Sequence, residues 1–171
     1  VARLVFGLQP VREAIRVHGK GIERVIVERQ GGPKLEALAR FAKDRGILVD
    51  TSDPGDLDRR AAGGRHQGVI ALVPDLRLWS VNELRVEEHS TFVALDGVMD
   101  PQNFGAAVRS AVAFGAAAVL WPEHSSAPLS PAMFRASAGA IEHAVLCRVP
   151  SLAPAFEHLA AQGVAIVALD A

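Results

Sequence analysis

Apolar and polar positions alternate along the chain in two rhythms, one of period near 3.6 and one of period near 2, and together they predict a succession of helices and strands. Residues 9–17 read as a short helix with Pro10 in its first turn, and residues 24–28 (Arg-Val-Ile-Val-Glu) as an apolar strand. Residues 33–45 place Leu35, Leu38, Ala39 and Ala42 on one helical face, with Gly46 where a helix terminus favours glycine. Ile47, Leu48 and Val49 follow as a buried strand, residues 53–62 as a short helix capped by Asp53, and residues 68–73 as a strand closed by Pro74. This is the pattern of a small three-layer α/β unit. A polar stretch at 85–90 precedes a second series: strand 91–95, helix 103–114, strand 117–121, helix 130–137, strand 144–147, helix 152–162 and strand 164–169. Such alternation predicts a parallel sheet with helices on both faces, and it places any site at the carboxyl ends of the strands.

Composition narrows this picture. The chain has 171 residues, half of them hydrophobic and 22% charged, which suits one domain or two small ones with a real core and argues against disorder. No apolar run approaches the roughly 18 to 20 residues that cross a bilayer, and the start lacks the layout of a signal peptide, so a cytoplasmic protein with no membrane partner is expected. A single cysteine, Cys147, can form neither an internal disulfide nor a thiolate metal site. The net charge of -1 conceals an asymmetry: residues 1–77 carry 14 Lys and Arg against 10 Asp and Glu, whereas residues 78–171 carry 4 against 9. That division predicts a basic, polyanion-binding domain at 1–77, a linker at 78–90 and a second domain at 91–171; an ordinary solvated surface would show the same modest excess. A start at Val1 and a stop at Ala171, directly after a predicted strand, are those expected of a partial chain.

Several chemistries lack their motifs. There is no GxxxxGK[ST] loop, Gly19-Lys20-Gly21 is followed by Arg24 where a dinucleotide fingerprint needs glycine, and HExxH, CxxC and GxSxG are absent. No metal is expected. The segment from Asp96 to Ala111 stands out because it joins a strand end to a helix start. Pro101 stiffens it, Asn103 can cap the helix or point outward, Gly105 leaves room for a ligand's approach, and Arg109 lies nearly two turns along. A capped helix with a solvated arginine and a small-residue face packed on the sheet is the plainer account of these residues.

The run Asp-x-x-Asn-x-Gly-x-x-x-Arg, here Asp100, Asn103, Gly105 and Arg109, resembles the first signature of the SpoU/TrmH branch of the SPOUT RNA ribose methyltransferases. Phe114-Gly115-Ala116, Pro122-Glu123-His124, Ser130-Pro131 and Ser137-Ala138-Gly139-Ala140-Ile141-Glu142-His143 follow in the family's order. Val5-Phe6-Gly7-Leu8-Gln9-Pro10 and His66-Gln67-Gly68-Val69 resemble the substrate-binding domain of its bacterial members that methylate ribosomal RNA guanosines. The resemblance covers nearly the whole chain. It implies methyl transfer from S-adenosylmethionine to a ribose 2′-hydroxyl, with large-subunit ribosomal RNA as partner and a homodimer as the working form. It also implies that Asn103 and Arg109 belong to the active site.

A free guanidinium has a pKa above about 12 and is a poor proton acceptor near neutral pH, so the charge of Arg109 should matter first. It would hold the target phosphate and stabilise charge developing on the ribose oxygen, removing the proton only if the complex depresses its pKa, while Asn103 orients Arg109 or the nucleotide. Arg3, Arg12, Lys20 and Arg65 are candidate phosphate contacts, each otherwise a solvated charge, and His66 and Gln67 form either an RNA contact or a strand-entry turn. Residues 137–142 read either as a helix end and turn or as a small-residue loop that RNA or a partner subunit approaches, with Ser137 and Gly139 leaving room and Glu142 fixing nearby backbone or basic groups. The family's later motifs, a Gly-rich segment with a glutamate and a Ser-Leu-Asn-like segment, are not in these 171 residues. The carboxyl-terminal trefoil knot and most of the donor pocket are therefore expected to be missing, leaving Leu169, Asp170 and Ala171 as the place for any donor contact. A non-catalytic RNA-binding protein, an antibiotic-resistance methyltransferase of similar build and an unrelated α/β enzyme remain as other readings.

Overall fold

The computed structural model describes residues 2–169. The first domain contains β1 (Ala2–Phe6), α1 (Leu8–His18), β2 (Arg24–Glu28), α2 (Gly32–Lys43), β3 (Val49–Ser52), α3 (Pro54–Arg60) and β4 (Val69–Pro74). Its four strands lie in the order β1-β4-β2-β3, with β4 antiparallel to β1 and β2 while β2 and β3 run parallel. Strand alternation decides the layers. Val25, Val27, Val69, Ala71 and Val73 face Val11, Ala14 and Ile15 of α1 and Leu35, Leu38 and Ala42 of α2. Ile26 and Ile70 point the other way, onto Leu57 and Ala61 at α3.

The second domain contains β5 (Leu78–Trp79), β6 (Phe92–Ala94), α4 (Pro101–Ala113), β7 (Ala118–Pro122), α5 (Pro131–Ala136), β8 (Leu146–Val149) and α6 (Leu152–Ala161). Its sheet, β5-β8-β7-β6, is parallel throughout. Val119 and Trp121 pack under α4 and α5, where Phe104 meets the Trp121 ring edge-on at 5.4 Å. Ala118, Leu120 and Cys147 pack on the opposite face against Leu152, Ala155 and Leu159 of α6.

Three expectations change. Residues 164–169 form no strand, and Val167 and Leu169 are exposed, because a strand needs a hydrogen-bonded neighbour and none of the described strands pairs with this run. The strand expected at 47–49 lies at Val49–Ser52, since residues 44–46 first turn out of α2 and Ile47 drops into the core. The segment 78–90 is not a free linker: Leu78 and Trp79 pair with β8, and Leu84 is buried against the second sheet. Ser80 and Glu83 close a capping box there, and the Ser80 backbone N–H, then its hydroxyl, then Arg77 hold the Glu83 carboxyl below its ordinary range. No described helix is long and apolar enough to cross a membrane.

Candidate active site and nucleic-acid interface

The carboxyl ends of β5–β8 share one edge of the second sheet, and the loop from β6 to α4 opens there. Leu95 is buried and anchors the loop, whereas Asp96, Gly97, Met99 and Asp100 are exposed. The Ala127 N–H donates to the Val98 carbonyl at 2.9 Å, tying this loop to the one after β7. Helix α4 begins because the Asp100 carboxylate accepts the Asn103 backbone N–H at 2.9 Å and Pro101 presets the first turn. Asp100, not Asn103, is thus the cap, which leaves the Asn103 side chain exposed in the first turn. Arg109 is exposed two further steps along the same i,i+3 row, and no ion pair holds it among the described residues.

Gly105 serves a different purpose from the one expected. A Cβ there would stand 2.5 Å from the Met133 carbonyl oxygen and 2.6 Å from the Ala136 Cβ. The backbone that approaches it is that of α5, and no space is left for a ligand. Ser137 is likewise buried, its hydroxyl donating to the Phe134 carbonyl at 2.7 Å. Gly139 is buried against α1, and the Glu142 carboxylate is enclosed by Arg3 and His18. The structure thus packs Gly139 and the Arg3 and Glu142 side chains between the two domains, and buries Ser137 within its own domain between α4 and α5. The approaching element at this small-residue loop is the chain's own first domain.

The other candidates divide. Arg12, Lys20 and Arg65 are exposed, and no ion pair holds them among the described residues. His66 accepts the Gly68 N–H at Nδ1 (3.0 Å), so Nε2 carries the proton it gives to Asp58 at 2.9 Å. Gln67 sits at φ 52°, and its amide oxygen accepts the Leu8 N–H at 3.0 Å, covering the start of α1. These two residues build a turn. Leu169 is 97% exposed, while Asp170 and Ala171 lie outside the described residues.

Sequence reasoning passed over Arg148, which is exposed at the end of β8 beside a cavity of about 340 Å³ lined by Trp79, Ser80, Glu83, Glu123 and Pro150. Its signal was available: it is the only charge in the apolar run 144–149. Leu169 lines neither this cavity nor the 430 Å³ cleft at Arg3, Asp75 and Phe134. The described residues thus do not assemble a donor pocket at the place expected. No cluster of His, Cys, Asp or Glu among them is arranged to hold a metal.

Comparison with known proteins bears on both domains. The model of the RNA 2′-O ribose methyltransferase substrate-binding family matches residues 4–79, and that of the SpoU rRNA methylase family matches residues 90–171. A 23S rRNA (guanosine-2′-O-)-methyltransferase RlmB of Pseudomonas aeruginosa is 35% identical, covering 95% of this chain and 68% of its own length. An uncharacterised tRNA/rRNA methyltransferase of Mycolicibacterium vanbaalenii is also 35% identical, over 98% of this chain and 55% of its own. The crystal structure of an AdoMet-bound rRNA methyltransferase from Sinorhizobium meliloti superposes with a TM-score of 0.69 at 26% identity, covering 86% of this chain and 54% of that one. The chain thus spans between about half and two thirds of the length of these relatives. Both of its domains, in this order and with the Asn103–Arg109 helix at the strand ends, make it a member of the SpoU rRNA methylase family.

Proposed function

We propose that this chain belongs to an enzyme that transfers a methyl group from S-adenosylmethionine to a ribose 2′-hydroxyl of 23S ribosomal RNA. Residues 1–77 bind the RNA, and the domain that follows carries the chemistry. The observation that bears this reading is Arg109: a guanidinium exposed on α4, without an ion-pair partner among the described residues, on the same helical row as an exposed Asn103 at the strand-end edge. Such a cation is free to take a phosphate and to stabilise negative charge as the ribose oxygen attacks. Asn103 offers both a donor and an acceptor with which to hold Arg109 or the nucleotide. When bound, the donor would supply an electrophilic methyl on a sulfonium. Arg12, Lys20 and Arg65 are the phosphate contacts of the first domain, and Arg148 is a further one at the strand ends.

A homodimer in the cytoplasm is part of the same reading, supported by family membership and by apolar side chains left open at Phe114, Val167 and Leu169. The test is transfer of labelled methyl to unmodified 23S rRNA by the gene's natural-length product and by its Arg109→Ala and Arg109→Lys variants. Loss of transfer in both variants with melting curves unchanged is expected. Near-normal turnover in either would remove Arg109 from the mechanism, and RNA binding without transfer by the parent would leave a non-catalytic RNA-binding protein.

A further inference from the structure

We propose that Glu142 is a positioning residue whose carboxylate, gripped by Arg3 and His18, clamps the RNA-binding domain onto the methyltransferase domain. The inference rests on the proposed RNA methylation for its purpose, though not for its geometry. The Glu142 side chain is 1% exposed and that of Arg3 9% exposed. One carboxylate oxygen, Oε2, receives both the Arg3 Nη2 donor and the His18 ring nitrogen, the latter at 2.8 Å. Arg3 further donates Nε to the Pro74 carbonyl at 3.0 Å and lies 5.0 Å from the centre of the Phe134 ring. It therefore touches β4 of its own domain and α5 of the other. A carboxylate this deeply buried is tolerated only when paired, so the first domain cannot swing away without stranding a charge.

Two more contacts join the same elements. Gly139 lies so close to α1 that a Cβ on it would stand 2.7 Å from the Glu13 Cβ and 3.1 Å from the Pro10 Cα. Ala138 and Gly139 both adopt left-handed backbone, φ 51° and 87°, a conformation that persists in alanine only where packing imposes it. At the rim, Glu13 accepts from His143 at 3.0 Å. The turn that α1 rests on is also the turn that supports the reacting helix, because Ala136 and the Ser137 amide pack against Gly105 of α4. Arg109 lies four residues beyond Gly105, on nearly the same side of α4. The clamp thus fixes Arg12 in the second turn of α1 relative to Arg109 on α4, and one RNA chain meets both in a set geometry.

Spin labels at Lys43→Cys and Glu157→Cys, exposed positions on α2 and α6, report the distance between domains in the presence of the buried Cys147. A single narrow distribution is expected in the parent and a broad one in Glu142→Gln and in His18→Leu. For methyl transfer to 23S rRNA by the natural-length product, each variant should raise KM for RNA about tenfold with kcat kept within about twofold, the pattern of lost positioning. A narrow distribution in both variants, or a fall in kcat at unchanged KM, would overturn the proposal. Should Glu142→Gln fail to fold by circular dichroism, His18→Leu, which removes a partly exposed donor, decides. If the parent transfers no methyl, the function fails while the distance measurement still judges the clamp.

Discussion

At the scale of single residues, Gly105 is more tightly constrained than either candidate catalytic side chain. An added methyl meets a backbone carbonyl and a helix Cβ, neither of which can move alone, so Gly105→Ala should destabilise the protein by about 1 to 3 kcal/mol in urea melts. Arg109, exposed and without an ion-pair partner among the described residues, should be replaceable at a cost within about 0.5 kcal/mol, which separates its chemistry from its packing. Cys147 gives a pH signature. Burial, with a smaller contribution from the Glu83 charge, pushes its thiol from 9.0 up to about 11. The folded state then keeps a proton that the unfolded state releases, so this contribution to stability is whole below pH 9.0 and is lost as pH rises toward about 11. Native protein should resist thiol reagents at pH 8 and react only on unfolding; rapid modification of the folded chain would contradict the burial.

At the scale of elements, α4 depends on a cap supplied by the loop that precedes it. Asp100→Ala removes the acceptor for the Asn103 N–H and should cost about 1 kcal/mol, with hydrogen exchange accelerating first at residues 102–104. Elements with a strong local pattern were legible in the chain: α2, α4 and α6 lie within a few residues of where their apolar faces and punctuating residues placed them. Elements that depend on distant partners were not. Leu78–Trp79 is a strand only because β8 lies alongside, and Ala2–Phe6 only because β4 does. The converse failure at 164–169 has the same cause, since an apolar run without a neighbour leaves its backbone unpaired. The site's helix and its loop were readable because strand end, proline, cap and arginine are all local; the inward turn of Arg3 and Glu142 was not, because 139 residues separate them.

At the scale of the whole molecule, the donor question becomes one of measurement. With Leu169 exposed and lining neither of the two cavities described among residues 2–169, the 171-residue chain is expected to give weak or no heat when titrated with S-adenosylmethionine, and tight binding would overturn that expectation. The connection between the domains has a consequence of its own. β4 ends at Pro74 and β5 begins at Leu78, so only Asp75, Leu76 and Arg77 bridge the two sheets. A tether this short holds the domains at an effective concentration in the millimolar range, so the modest affinity that the Glu142 contacts add is enough to keep their shared surface closed and its loss enough to open it. Cutting the chain within that bridge would ask the same surface, the Glu142 contacts together with Gly139 packed on α1, to hold as a bimolecular interface without that concentration behind it.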